Sequence, residues 1–349
     1  MNAAAYRALI QVESLHYVGP VNPHIIFRQK AISKLLRTVG SRGNYFFYSE
    51  ERLRRIAEKV SIQCSANASL DFFHGFTPWI RTKPSRPYVA WSDCTFHDYI
   101  NIYHRRELFR PADLERIERG EAEWLRNARC VAFSNDWAAR RSVQYYGLDA
   151  SCVRSVGAFG EIEMPAADEY GGQKRFVFVS TAFEAKGGPV LLSAFRHVRK
   201  RHPDASLVIV GALPKGTAEE KNTIFTGYLR KERPDELARF CGILGGARAL
   251  VHPTNSDVSP LIIVEAGYFG CPAISVRSFA IPELIDHEVT GLLLEDPSNV
   301  SALAERMSWM LENEDAYQLM RKRTWAKTRQ KNSKEAFERQ IQTLIRPAY

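Results

Sequence analysis

The sequence contains no run of 18 apolar residues, which excludes a helix that crosses a membrane. It contains no C-x-x-C pair. Its six cysteines (Cys64, Cys94, Cys130, Cys152, Cys241 and Cys271) are scattered, so free buried thiols in a reducing cytoplasm are expected rather than disulfides or zinc ligands. No G-x-G-x-x-G follows a strand-like run, and Gly211, Gly216 and the 242–246 glycines have the wrong spacing or context. That argues against a dehydrogenase. There is no helix-turn-helix, RNP or zinc pattern to support a nucleic-acid-binding protein. There is also no D-x-D, no internal repeat and no low-complexity tract. Met1 to Val12 lacks the basic-then-apolar order of a signal peptide, and Ala8 to Val12 reads as a first strand.

Two domains are the default for a chain of 349 residues. Apolar runs alternate with amphipathic stretches from end to end. In the first half, 45–48, 70–74, 88–92, 130–134 and 153–156 read as strands. Helices are expected over 53–60, 111–127 and 136–146, and an apolar stripe from Ile25 to Val39 predicts another, decorated by Arg28, Lys30, Lys34 and Arg37. Residues 161–173 are polar, with Pro165 and paired glycines, a linker signature. The alternation then restarts at Phe176 and runs to a helix ending at Ile345. Two βαβ-type halves imply two doubly wound parallel sheets, with ligands at the carboxyl ends of the strands and a site in a cleft between domains.

The net charge of +9 is unevenly placed. Residues 1–60 hold ten Lys/Arg against four Glu, and residues 321–349 hold nine against two. Such basic ends suit an anionic lipid surface or a phosphate-bearing acceptor, while the bland alternative is a solvated charged face.

Two segments carry chemistry. In Phe178–Gly188 a strand exits into a loop, and Lys186-Gly187-Gly188 precedes a helix. Free N–H groups at a helix start, with an ammonium beside them, suit a diphosphate. In Val251–Gly267 a buried strand leads into a polar loop holding Asp257, and a helix then starts near Pro260. Glu265 lies inside that otherwise apolar helix, where a carboxylate needs either a ligand hydroxyl or an internal partner such as an Arg or a backbone group. Taken as two helical turns, the Asp257–Glu265 spacing corresponds to about 12 Å of axis.

Residues 176–311 resemble the donor domain of the retaining family-four glycosyltransferases, whose fold is GT-B. The hallmark E-x7-E, Gly-x-Pro and Pro-Glu pieces appear as Asp257, Glu265-Ala266, Gly270-Cys271-Pro272 and Pro282-Glu283. Thr290-Gly291-x-Leu293, Glu184-x-Lys186-Gly187 and Phe225-x-Gly227 also fall in family order. The first half is similar more loosely, through His74-Gly75, Trp91-Ser92-Asp93 and Ser134-x-x-Trp137. This chain departs from the family in having Asp257 for the first Glu, Ser259-Pro260 for Phe-Gly, and Ser180 and Thr181 where an Arg is frequent.

The resemblance implies two Rossmann-like domains facing across a cleft. An acceptor-side domain would span 1–163, with the helix 330–349 crossing back onto it, and a donor domain 164–329. It implies transfer of a sugar from a nucleoside-diphosphate-sugar to a glycan or lipid-linked acceptor, as in polysaccharide biosynthesis. Anomeric configuration would be retained, and neither metal nor cofactor would be required. Lys186, Gly187, Ser259 and the Leu261 and Ile262 amides would hold the diphosphate. Glu265 would bind ribose, Asp257 the transferred sugar, and the backbone at Tyr228 and Leu229 the base. His74 would contact sugar or acceptor. The expected setting is cytoplasmic, peripheral at an anionic membrane face, without nucleic acid. A sugar-nucleotide-processing enzyme of the same fold, epimerase-like, is the alternative.

Overall fold

The computed structural model describes residues 8–9, 15–19, 21, 24–63, 68–212 and 220–346. Its contacts divide the chain into two compact units, one of Met1–Gly157 with Phe337–Tyr349 and one of Ala158–Ala336.

The first unit holds a parallel sheet of β1 (Asp71–His74), β2 (Tyr88–Ser92), β3 (Cys130–Phe133) and β4 (Val153–Ser155), in that spatial order among the described residues. Strand β3, and β2 up to its last residue Ser92, are apolar and buried, as a parallel strand covered on both faces requires. Helices α1 (Phe27–Thr38), α2 (Glu50–Gln63), α3 (Phe96–Tyr103), α4 (Pro111–Arg126) and α5 (Asp136–Tyr146) accompany it. The side chain of Asn135 caps α5 at its start, and Gly147, with φ of 60°, ends it. The returning C-terminal residues pack on this sheet. The Phe337 ring lies 5.2 Å from Trp91, and Arg129 donates to the carbonyls of Leu344 and Arg346.

Several sequence expectations for this unit change. Ala8 and Leu9 are helical rather than extended, and residues 10–12 of that expected strand lie outside the described residues. Tyr45–Tyr48 is no strand, because Phe46–Tyr48 forms a single 3-10 turn. The Tyr45 amide donates to Asp113 (2.7 Å), and its ring packs edge-on against Phe96 and Phe109. Tertiary packing outweighs the strand preference of aromatics there. The apolar stripe of α1 also faces the wrong way for a core element: Phe27, Ile32, Leu35 and Val39 are exposed, and the buried residue of the helix is Ser33.

Among its described residues the second unit holds six parallel strands: β5 (Arg175–Ser180), β6 (Ser206–Gly211), β7 (Thr223–Gly227), β8 (Ala249–Val251), β9 (Ala273–Val276) and β10 (Gly291–Leu294). Their spatial order is β10-β9-β8-β5-β6-β7, the doubly wound Rossmann order. The order reverses between β5 and β8, so the carboxyl ends of these two strands flank the crevice where this topology places a ligand. Phe176, Phe178, Phe195, Leu207, Leu250 and Ile274 are fully buried in the core around the sheet. Helices α6 (Gly188–Arg201) and α7 (Pro234–Gly245) precede β6 and β8, and helix α8 (Leu261–Tyr268) follows β8.

The polar stretch 161–173 is fastened to this unit rather than left as a free tether. Arg321, on the helix Glu314–Lys331, donates from Nε and Nη2 to both carboxylate oxygens of Asp168 (2.6 Å each) and from Nη2 to the Phe269 carbonyl. Five cysteines among the described residues are free, two of them buried, and Cys64 lies outside the described residues.

Candidate functional site

Two loops meet at the switch point. The first, residues 181–187, leaves β5, and the second, residues 252–260, leaves β8. The Asn255 amide donates to the Ala185 carbonyl (3.2 Å). Gly187 has φ of +83°, and a Cβ there would overlap the Pro253 carbonyl oxygen. A residue with a side chain would be strained in backbone and driven into the second loop. This close approach brings Lys186 Nζ to 2.7 Å from Asp257 Oδ2 and lets it also donate to the Ser256 carbonyl. The buried ring of His252 places Nε2 3.3 Å from the same Asp257 oxygen, while its Nδ1 is buried without a partner among the described residues. Nε2–H donating to Asp257 leaves Nδ1 as a bare acceptor, the cheaper orphan. Burial alone would raise the Asp257 carboxyl, but His252 and Lys186 outweigh it and hold the group below its ordinary range.

Downstream, Pro260 is the cap residue of α8 and has extended backbone. Leu261 and Ile262 are the first two helical residues, so position leaves their amides without intrahelical acceptors, and Ile263 is the first to bond back, to the Pro260 carbonyl (3.0 Å). Ser259 and these two residues are partly exposed. The ammonium of the first loop and the hydroxyl and two amides that follow β8 thus belong to the two strand exits that meet at the switch point, an arrangement able to meet a dianionic group.

Glu265 has its own surroundings. It is 1% exposed, and its Oε1 accepts from the Glu161 amide (2.8 Å) and from Lys231 Nζ (2.6 Å). Burial raises its carboxyl above the ordinary range, with Lys231 opposing. Its burial therefore does not by itself demand a ligand. Oε2 accepts no hydrogen bond from the described residues and is the oxygen available to one. The separation expected from two helical turns does not apply, because only Leu261 onward is helical. Tyr228, exposed, and Leu229, buried, follow β7 and stand just before Lys231, so the turn after β7 and Glu265 share a neighbourhood. His74 belongs to the first unit, at the end of β1, with its ring edge-on to Trp91 at 5.0 Å. Burial lowers its imidazole to about 4, so it is neutral at pH 7.

Residues 161–329 match the family described as "Glycosyl transferases group 1". The match covers nearly all of the second unit, Ala158–Ala336. Over 134 residues the chain is 28% identical to a D-inositol 3-phosphate glycosyltransferase of Corynebacterium kroppenstedtii, covering 35% of this chain and 30% of that one. The aligned stretches span less than half the length of each curated relative. Among solved structures, sucrose-phosphate synthase from Thermosynechococcus elongatus superposes with a TM-score of 0.65 at 17% identity, covering 84% of this chain and 77% of that one. HepE from Anabaena, in complex with UDP-glucose, gives 0.62 at 16% identity, covering 90% and 88%. These likenesses show the fold, which is GT-B.

Within this matched region, the sequence reading named Lys186, Gly187, Asp257, Ser259, Leu261, Ile262 and Glu265 but passed over His252 and Lys231. A histidine ending a buried strand five residues before Asp257 was a usable signal. No spacing in the sequence links position 231 to position 265.

Proposed function

We propose that the chain transfers a sugar from a nucleoside-diphosphate-sugar to a glycan or lipid-linked acceptor, with retention of anomeric configuration and without a metal. The observation that carries this reading is the pairing of Lys186 with Asp257 at the strand exit that leads into the first-turn amides of α8. As the glycosidic bond breaks, negative charge grows on the β-phosphate. Lys186 and the Leu261 and Ile262 amides are the groups assigned to meet it, and a fixed cation there favours the transition state over the ground state. Donor binding would exchange part of the Lys186–Asp257 pair for phosphate and sugar contacts. Asp257 would hold a sugar hydroxyl, Glu265 Oε2 the ribose, and the backbone at Tyr228 and Leu229 the base. His74, kept neutral by burial, would offer the sugar or acceptor a hydrogen bond rather than a charge.

A thermal-shift panel of UDP-, GDP-, dTDP- and ADP-sugars tests the donor class. A donor at one hundred times its Kd adds about 2.7 kcal/mol of stability. If no member of the panel moves the midpoint, the reading fails. For the matched donor, Lys186→Ala is expected to lower turnover by about 10²–10³. Turnover unaffected by EDTA supports the metal-free route, and its loss with recovery on Mn²⁺ overturns it.

A further inference from the structure

Helix α1 is docked by its polar side. Ser33, its buried residue, donates from Oγ to the Asn44 carbonyl (2.6 Å). Gly43 lies so close beneath that an added Cβ would fall within 2.7 Å of the Ser33 carbonyl oxygen. One turn on, Arg37 donates to the Ser33 carbonyl and lays its guanidinium over the Phe109 ring. The opposite face points outward and is apolar: Phe27 is 78% exposed, Ile32 59%, Leu35 65% and Val39 67%. At 100° per residue, Phe27, Ala31, Leu35 and Val39 form one i, i+4 row, with Arg28 and Ile32 beside it. A surface helix ordinarily turns such a row to the core, and here small and charged residues occupy the docked side instead.

Within the segment that carries this face the charge is of one sign, while Glu51 of α2 accepts from Gln29 on the docked side (3.4 Å). Residues 14–49 contain Arg28, Lys30, Lys34, Arg37 and Arg42 and no Asp or Glu. Arg28, Lys34 and Arg42 are exposed. An exposed aliphatic and aromatic row bordered by cations, with no acid within the segment, is the pattern of a helix that lies in the plane of an anionic bilayer, its apolar row among the acyl chains and its cations at the headgroups. A second copy fits less well. A two-fold contact through this face would set like charges against each other. A nucleic acid would leave Ile32, Leu35 and Val39 uncovered.

We propose that the outward face of Phe27–Thr38, with Val39, docks the protein on a membrane surface that carries anionic lipid. The proposal goes beyond the transferase reading and stands independently of it. It does not use the basic C-terminal stretch, in which only Arg339 and Arg346 of the nine cations after residue 320 belong to the first unit.

The test is flotation of the full chain with phosphatidylcholine vesicles, with and without phosphatidylglycerol, at low and high salt. The wild type is expected to float with the anionic vesicles and to be partly released by salt. The double variant Phe27→Glu, Leu35→Glu is expected to lose roughly tenfold or more of the bound fraction, and Arg28→Gln, Lys34→Gln to lose the preference for phosphatidylglycerol. Both variants change exposed side chains, so their circular dichroism and their thermal response to nucleotide-sugar are expected to match the wild type. A common fall in the donor response would point to a folding defect or to failure of the transferase reading, not of this one. Wild-type protein that stays unbound, or a glutamate variant that floats as well as the wild type, overturns the proposal. So does self-association of the wild type that the same variant abolishes, which would assign the face to a second copy.

Discussion

At the scale of single residues, the two acidic groups of the donor segment are built for different work. Asp257 shares one oxygen with Lys186 and His252 and is held ionised, whereas Glu265 is buried behind Lys231 with its carboxyl raised. Glu265→Gln is expected to weaken binding of the free nucleoside diphosphate by about 1.5–3 kcal/mol, the worth of hydrogen bonds to a charged group. Asp257→Asn is expected to lower turnover while leaving that binding nearly intact. Calorimetry with the nucleoside diphosphate on both variants decides between them, and the reversed pattern would invert the donor's orientation. Lys231 has a separate signature. It opposes the effect of burial on Glu265, so removing it raises that carboxyl further. If the ionised carboxylate binds ribose, nucleotide affinity falls as pH drops through the carboxyl's range. In Lys231→Met that fall is expected at higher pH. Superimposable affinity profiles of wild type and variant would take Lys231 out of the site.

Elements are held by a few polar anchors that periodicity does not reveal. The stretch 161–173 reads as a linker because it is polar and rich in turn formers, yet Arg321, 2% exposed, clamps it through both oxygens of Asp168. The guanidinium also donates to the carbonyls of Ala247 and Phe269, tying that stretch to the segments just before β8 and just after α8. Arg321→Met keeps much of the packing but leaves Asp168 and two buried carbonyls without their donor. Asp168 is itself exposed, so the loss comes mainly from the carbonyls left without a donor, about 1–3 kcal/mol. Denaturant titration of the second unit is expected to show that loss, while Lys200→Met, an exposed control, shows little. Equal midpoints for the two variants would mean that the clamp contributes nothing.

Over the whole molecule, the pH dependence of stability combines opposing groups in the first unit. Glu121 is fully buried, and burial lifts its carboxyl to about 7 against the hydrogen bonds from Thr77, the Phe96 amide and Tyr146. Below the ordinary glutamate value of 4.5 the carboxyl is protonated in both folded and unfolded chains. Between 4.5 and about 7 only the unfolded chain ionises, so stability is lost as pH rises through that window. His74 acts in the other direction. With its imidazole lowered from 6.5 to about 4, stability is lost as pH falls through that window. The two largely offset each other in the wild type. Glu121→Gln removes one of them, so the stability of the variant relative to wild type is expected to improve by about 3 kcal/mol between pH 4.5 and 7, at about 1.36 kcal/mol per unit. Unfolding midpoints at several pH values measure this, and a pH-independent difference would refute it.

The alternation of buried runs and amphipathic stretches, and the strand–loop–helix segment around Asp257 and Glu265, were legible in the sequence alone. Both depend on the order of neighbouring residues, and local periodicity and turn chemistry record that order. The partners were not. Lys186 meets Asp257 because the sheet order sets β5 beside β8, and Lys231 reaches Glu265 from the turn after β7, 34 residues away. The outward turn of α1 was likewise decided by tertiary structure. Its spacing marks an apolar row, but which side docks depends on the fit of Ser33 against Gly43, a contact between two segments that no period encodes. Periodicity fixes which residues share a face; only close packing between distant segments fixes where that face points.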